Sequence, residues 1–296
     1  MAPAKKTVLI TGCTPGGIGH ALALEFHRRG CHVIATARRL EVIKGLEAQG
    51  LSILALDVTS KESVASCKAA VTKLTGGQLD ILVNNAGRPH VIPALDVDLD
   101  DARATYETNV FGPMRMIQSF IDLLIPARGL IVNISSASSE IPYLFSSVYS
   151  ATKAALAQYS RVLRMELKPF NVRVMTCMAG TVRSNFASGP GRTLPSNSLY
   201  QPVVDFYERR LTFSQTTSTM PHDVFAKKLV SQALLGEGWL GGWVGRSPDY
   251  IWAGGMSTVV FLGTLLPRWM SEGLTAGYFQ MRRMGDKIKA ARQKTD

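Results

Sequence analysis

Six short, almost continuously apolar runs, separated by amphipathic stretches, constrain this chain more than any other feature. They are TVLIT (7–11), HVIATA (32–37), SILALDV (52–58), ILVNNA (81–86), LIVNIS (130–135) and VRVMTCM (172–178). A strand reads this way, without polar alternation, when both of its faces are buried. The stretches between carry helical patterns, such as HALALEFHRRG (20–30), which ends on a glycine stop. Strand and helix in alternation predict a doubly wound α/β fold, with about seven parallel strands and helices on both faces of the sheet. No internal repeat runs through the chain, which sets solenoids and propellers aside.

Composition narrows the function classes. Apolar residues are 46% and charged residues 19%, enough to fill such a core. The four cysteines (Cys13, Cys31, Cys67, Cys177) form no CxxC pair, and the five histidines show no ligand spacing. Neither a disulfide framework nor a metal site is expected. The net charge of +11 favours an anionic partner, such as an acidic headgroup or a phosphorylated small molecule. Without aromatic stacking platforms or a zinc-finger pattern, no nucleic-acid partner is expected. The opening MAPAKK is not followed by an apolar stretch of leader type, so no secretory signal is expected.

The first run opens onto TGCTPGGIGH (11–20), with Gly12, Gly17 and Gly19 as the working glycines and Gly16 as an extra one. Between a strand and a helix, glycines let backbone amides approach a pyrophosphate that rests on the helix N-terminus. Where the second strand ends, an acid would normally bind the ribose diol of NAD; this chain has Ala37-Arg38-Arg39. A basic position there suits the 2′-phosphate of NADP(H). In YSATK, Tyr149 and Lys153 stand at i and i+4 on one helical face. The ammonium is expected to draw the phenol down towards an acid–base range. Ser136, at the end of LIVNIS, is placed to hydrogen-bond a substrate carbonyl.

With these pieces in this order, residues 7–240 resemble the short-chain dehydrogenase/reductase family. The resemblance rests on the glycine loop, LDV (56–58), NNAG (84–87), NVFG (109–112), NISS (133–136), YSATK and AGTVRS (179–184). It implies that Tyr149 protonates a carbonyl oxygen, Lys153 binds the nicotinamide ribose, Ser136 orients the substrate and Asn109 anchors a relay water. It also implies cofactor contacts at Gly12, Thr14, Gly17, Ile18, Gly19 and Arg38. Asp57 and Val58 would flank the adenine, and Asn84, Ala86 and Gly87 would line the cofactor's middle. Gly180, Val182 and Ser184 would stand near the carboxamide, the serine replacing a threonine. Three departures stand out: a fourth residue inserted in the glycine loop, Ala179 where the family has proline, and Arg88 after NNAG, read as a solvated side chain. His20 is read as a surface or half-buried residue.

The loop insertion, the missing proline and the C-terminus resemble the fungal NADPH-dependent 1-acyldihydroxyacetone-phosphate reductases. That resemblance implies a lipid-like ketone as substrate and association with lipid droplets or the endoplasmic reticulum, facing the cytosol. Family precedent also implies a homodimer or homotetramer. Three readings stay open: that reductase; a soluble cytoplasmic ketoreductase of a steroid or secondary metabolite; and a non-catalytic membrane-surface scaffold. Residues 184–222, rich in Ser, Gly and Pro, are expected to form a substrate lid with a short helix in PVVDFYERRLTF (202–213). YIWAGGMSTVVFLGTLLP (250–267) carries no formal charge, and RRMGDKIKAARQK (282–294) is strongly basic. Together they read either as a surface-lying membrane anchor or as a packed segment beside a solvated basic helix. The chain therefore divides into a Rossmann-type domain, 1–240, and an apolar and basic extension, 241–296.

Overall fold

The computed structural model describes residues 5–188, 192–217, 219–236, 238 and 245–293. Lys294 of the basic tail and residues 189–191 and 218 of the expected lid lie outside them. The strands are β1 (Thr7–Ile10), β2 (His32–Ala37), β3 (Ser52–Ala55), β4 (Ile81–Asn84), β5 (Leu130–Ile134), β6 (Arg173–Ala179), short β7 (Val182–Arg183) and β8 (Met220–Pro221), and β9 (Tyr250–Ala253). The helices are α1 (Ile18–Arg28), α2 (Lys44–Glu47), α3 (Lys61–Thr75), α4 (Leu99–Tyr106), α5 (Gly112–Leu124), α6 (Ser147–Leu167), α7 (Val204–Thr216), α8 (His222–Ala233), α9 (Ser257–Thr264), α10 (Arg268–Tyr278) and α11 (Met281–Arg292).

The main sheet has seven strands in the order β3-β2-β1-β4-β5-β6-β9, every neighbouring pair parallel. Successive residues serve opposite faces, which is why the runs are continuously apolar. Val8 and Ile10 of β1 enter a core shared with Leu22 and Phe26 of α1 and Phe225 and Leu229 of α8. Leu9 faces the other way, among Val71 of α3, Phe120 of α5 and Leu163 of α6. The chain leaves β1 towards β2 on one side and reaches β4 on the other, so a crevice opens at the carboxyl ends of these strands.

Several strands end earlier than their apolar runs. Thr11, Asp57, Asn85 and Ser135 stand just past the strand ends, and their polar groups are hydrogen-bonded at the carboxyl edge of the sheet. The seventh strand, β9, comes from beyond residue 240, inside the apolar run that was read as an extension. Gly254 at φ +102 turns the chain out of β9, and the run continues as α9, only eight residues long. Among the described residues, no helix is long and apolar enough to cross a membrane. The basic helix α11 is not simply solvated. Its Met284 belongs to a cluster with Val203, Phe206 and Tyr207, against which Met281 and Ile288 pack, and Lys287 pairs with Asp205 at 3.0 Å.

Candidate active site

A single cavity of about 1150 Å³ runs from the glycine loop past Tyr149 to α9 and α10. At its first end the extra loop residue is absorbed by a tight turn. The Gly17 amide donates to the Thr14 carbonyl at 3.0 Å, with Pro15 at the second position and Gly16 at φ +73 in the third. Proline followed by a positive-φ glycine is the type II pattern. Asn185, where the lid begins, clasps this turn: its amide donates to Gly16 O at 3.1 Å and its Nδ2 to Pro15 O at 3.0 Å. Beyond the turn, α1 starts at Gly17 with no side-chain cap and no acid in its first turn. Its free amides and dipole suit a pyrophosphate, so the residues present fit a dinucleotide.

Of the residues singled out in the sequence, Gly12, Thr14, Gly17, Ile18, Arg38, Asp57, Val58, Ala86, Gly87, Ser136, Tyr149, Lys153, Gly180 and Val182 line the cavity. Asp57 accepts from the amide and hydroxyl of Thr59 at 2.9 and 2.7 Å. Its Oδ1 is thereby occupied, and Arg38 lines the cavity at the end of β2. Gly19, Asn84, Asn109 and Ser184 do not line it. A Cβ on Gly19 would stand 2.4 Å from both Asn85 Nδ2 and Gly12 O, so this glycine is required by backbone packing. Asn84 points into the core, donating to Asn133 Oδ1 at 2.8 Å, and Asn133 donates to Ser160 at 2.8 Å. Its neighbour Asn85 takes the lining position.

Thr11 was not anticipated as a site residue. Its hydroxyl accepts from the amides of Asn85 and Ala86 at 3.0 and 2.9 Å, fixing the NNAG loop against β1. Asn109 lies in a π-turn, Glu107–Phe111, between α4 and α5. Its Nδ2 donates to Arg88 O at 3.0 Å and Thr152 Oγ1 at 3.1 Å, and its Oδ1 accepts from the Arg88 amide at 2.7 Å. The side chain therefore ties the NNAG loop to α6. Gly180 sits where two backbones cross: a Cβ there would meet Gly255 O at 2.1 Å.

Tyr149 and Lys153 rise from the first turns of α6, beside the end of β5. Lys153 Nζ donates to Ile134 O at 2.8 Å and lies 5.7 Å from the Tyr149 ring centroid. Ser135 holds this junction by donating to Lys153 O at 2.9 Å. Ser136 Oγ is oriented by Ser138, whose hydroxyl donates to it at 3.0 Å. Burial pushes the Tyr149 phenol up to about 12, a hydrogen bond from Ser136 opposing the rise. The expected downward pull of Lys153 on the phenol is not what governs it. The ammonium is turned to the Ile134 carbonyl, and burial brings Lys153 down to about 8. A phenol with so high a pKa is protonated at neutral pH, the state an acid needs to donate to a carbonyl oxygen becoming an alkoxide.

The segment between β7 and β8 also lines the cavity, through Asn185, Phe186, Arg192, Arg210 and Ser214. Arg192 donates through Nε to Asp101 at 2.5 Å and through Nη1 to Pro89 O at 3.1 Å. Arg88, instead of being solvated, pairs with the same carboxylate, and buried His90, its proton affinity lowered by burial, lies 3.3 Å from it. His20 is half-buried, and that burial lowers its pKa. Tyr143, Phe213 of α7, and Tyr278 and Phe279 of the C-terminal helices pack edge to face with centroids 5.4–5.9 Å apart. Arg210 of α7 lies over Tyr143 at 3.8 Å. Among the described residues no cluster of metal-ligating side chains is present.

A doubly wound sheet, an uncapped glycine turn and a Ser–Tyr–Lys group on one cavity define a dinucleotide-dependent oxidoreductase. The chain belongs to the short chain dehydrogenase family, whose sequence pattern matches residues 6–192. It is 39% identical over 298 residues to the short-chain dehydrogenase srdE of Neurospora crassa, covering 99% of each chain. It is 42% identical over 277 residues to the NADPH-dependent 1-acyldihydroxyacetone phosphate reductase of Schizosaccharomyces pombe, covering 89% of this chain and 90% of that one. Among solved structures, a short-chain dehydrogenase from Streptomyces avermitilis matches with TM-score 0.76 at 29% identity, over 96% of this chain and 99% of that one. Serine dehydrogenase complexed with NADP+ matches with TM-score 0.64 at 29% identity, over 78% and 90%.

Proposed function

We propose that this chain reduces the ketone of a lipid-like substrate to a secondary alcohol with NADPH, and that the substrate is 1-acyldihydroxyacetone phosphate. The observation that carries the reading is the reach of the cavity. Beyond Tyr149 it continues along apolar side chains of the C-terminal helices, Val259, Val260, Leu274, Tyr278 and Phe279 among them. An acyl chain needs such a wall, and the 42% identical Schizosaccharomyces pombe enzyme bears that substrate's name. Arg38 favours the 2′-phosphate, with no free acid at the end of β2 to hold a bare diol.

When bound, the reduced nicotinamide supplies the hydride. Tyr149 Oη donates the proton to the ketone oxygen, Ser136 hydrogen-bonds that oxygen, and the Lys153 ammonium keeps the proton donor's surroundings positive. The enzyme lies on a membrane or droplet surface facing the cytosol: Leu262 of α9, Leu265 just after it and Trp269 of α10 are exposed. Arg268 and the basic face of α11 flank them. Exposed Val162 and Met165 on α6 support a homodimer or homotetramer.

The test is NADPH oxidation with purified protein, comparing 1-acyldihydroxyacetone phosphate with steroid ketones and polyketide-like ketones. Preference for the acylated phosphate supports the reading. Turnover confined to a steroid or secondary-metabolite ketone overturns the substrate, and retention of cell function by Tyr149→Phe would point to a scaffold instead.

A further inference from the structure

Arg210 is buried at 7% exposure inside the lid helix, yet no carboxylate pairs with it among the described residues. Its Nε donates to Leu144 O at 2.9 Å and its Nη2 to Ser146 Oγ at 2.6 Å. The guanidinium plane is stacked on Tyr143 at 3.8 Å. These contacts fix the group rigidly and occupy one edge of the fork, leaving the Nη1 edge without a protein acceptor. The residue lines the cavity together with Tyr143, Ser146, Tyr149 and Ser214. It is near enough to Tyr149 for each to alter the other's proton affinity. Ser214 Oγ accepts from Gln215 Nε2 at 3.2 Å, so its own proton is free to be donated.

Removing a guanidinium from water without a counter-charge is costly, and burial accordingly lowers its proton affinity. The acids that line the cavity do not offset it: Asp57 is held by Thr59, and Glu107 is paired with Arg115. Asp101 is already shared by Arg88 and Arg192. A pre-oriented, uncompensated fork beside the proton donor matches the geometry of an anionic oxygen group arriving with the substrate.

We propose that Arg210 is the anion-recognition residue of the substrate pocket, binding an anionic oxygen group carried within a few bonds of the reacting ketone. The proposal rests on the reductase reading above, and in the substrate proposed there the group is the phosphate. Recognition by Arg210 holds the charged end of such a substrate beside Tyr143. It also discriminates against ketones that lack the charge.

The experiment compares kcat/KM for 1-acyldihydroxyacetone phosphate, its dephosphorylated analogue and a keto acid of matched length, in the wild type, Arg210→Gln and Arg210→Lys. The readout is the ratio of charged to neutral ketone, which cancels any common loss from a loosened lid. Arg210→Gln should lower that ratio by about 10- to 100-fold, as expected for a charge-assisted hydrogen-bonded pair, and Arg210→Lys by less. An unchanged ratio in a variant that still turns over both ketones overturns the proposal while leaving the reductase reading intact. If the wild type ignores the phosphate and favours the keto acid, with the same dependence on Arg210, the anion site stands and the substrate reading falls. Should both variants fail to fold, inorganic phosphate is titrated into the wild type at saturating NADPH with the neutral ketone. Competitive inhibition against the ketone supports the site, and its absence at matched ionic strength overturns it.

Discussion

Replacing Thr11 by valine removes one hydroxyl and keeps the shape of the side chain. That hydroxyl is 1% exposed as part of its residue and accepts from two amides, Asn85 N at 3.0 Å and Ala86 N at 2.9 Å. Asn85 N keeps its bond to Val83 O at 3.1 Å, and the valine methyl leaves the Ala86 amide facing an apolar group. An unsatisfied buried donor costs about 1–3 kcal/mol, so the loss is about 2 kcal/mol. With an unfolding entropy of about 0.6 kcal/mol/K for a chain of this length, Tm should fall by about 3 °C. The same change frees the NNAG loop, whose Ala86 and Gly87 line the cavity. NADPH affinity should therefore weaken several-fold, read by quenching of protein fluorescence, while Thr11→Ser retains both properties. Valine melting within a degree of the wild type, with NADPH affinity unchanged, would refute the role given to the hydroxyl.

Other substitutions address separate parts of the site. Tyr149→Phe removes the proton donor and should lower kcat by about 10²- to 10⁴-fold with NADPH binding retained, as checked by turnover and by cofactor titration. Lys153, brought down to about 8 from 10.5, loses its ammonium in the folded protein before the unfolded one does. Reduction should therefore slow as pH rises through about 8, while this group's contribution to stability increases between 8 and 10.5, because the unfolded state binds more protons there. Arg38→Glu should raise KM for NADPH by about 10- to 100-fold and improve use of NADH, measured as the ratio of the two kcat/KM values. Asp101→Asn should loosen the lid and raise KM for the ketone. The Arg192 hydrogen bond holds the Asp101 carboxyl below 3.8. The latch is therefore fully present above that pH and lost as pH falls through the lower folded value, which a thermal melt series in acid would follow.

The sheet was legible because buried parallel strands need unbroken apolar runs, and six of the seven announced themselves in that way. β9 was obscured: its four residues run straight on, through Gly254, into the apolar helix α9. Periodicity alone does not divide such a run. Tyr149, Lys153 and Ser136 were readable from spacing, since i and i+4 share a helical face and a strand end projects into the crevice. Asn84 and Asn85 are adjacent and chemically identical, and only the end of β4 decides which one turns inward. Arg210 had left a trace: it occupies the apolar stripe Phe206–Tyr207–Arg210–Leu211, where a solvated arginine would be out of place. That no acid stands against it depends on lid packing, which a single helix pattern does not encode.

In the proposed reaction, hydride passes from NADPH to a ketone whose oxygen takes its proton from Tyr149. The most direct test incubates the enzyme with 1-acyldihydroxyacetone phosphate and NADPH deuterated on the transferred position, then weighs the product by mass spectrometry. One deuterium on the new carbinol carbon is predicted, together with loss of product formation in Tyr149→Phe. Consumption of the cofactor with no deuterium in the product, or an equal yield from Tyr149→Phe, would contradict it.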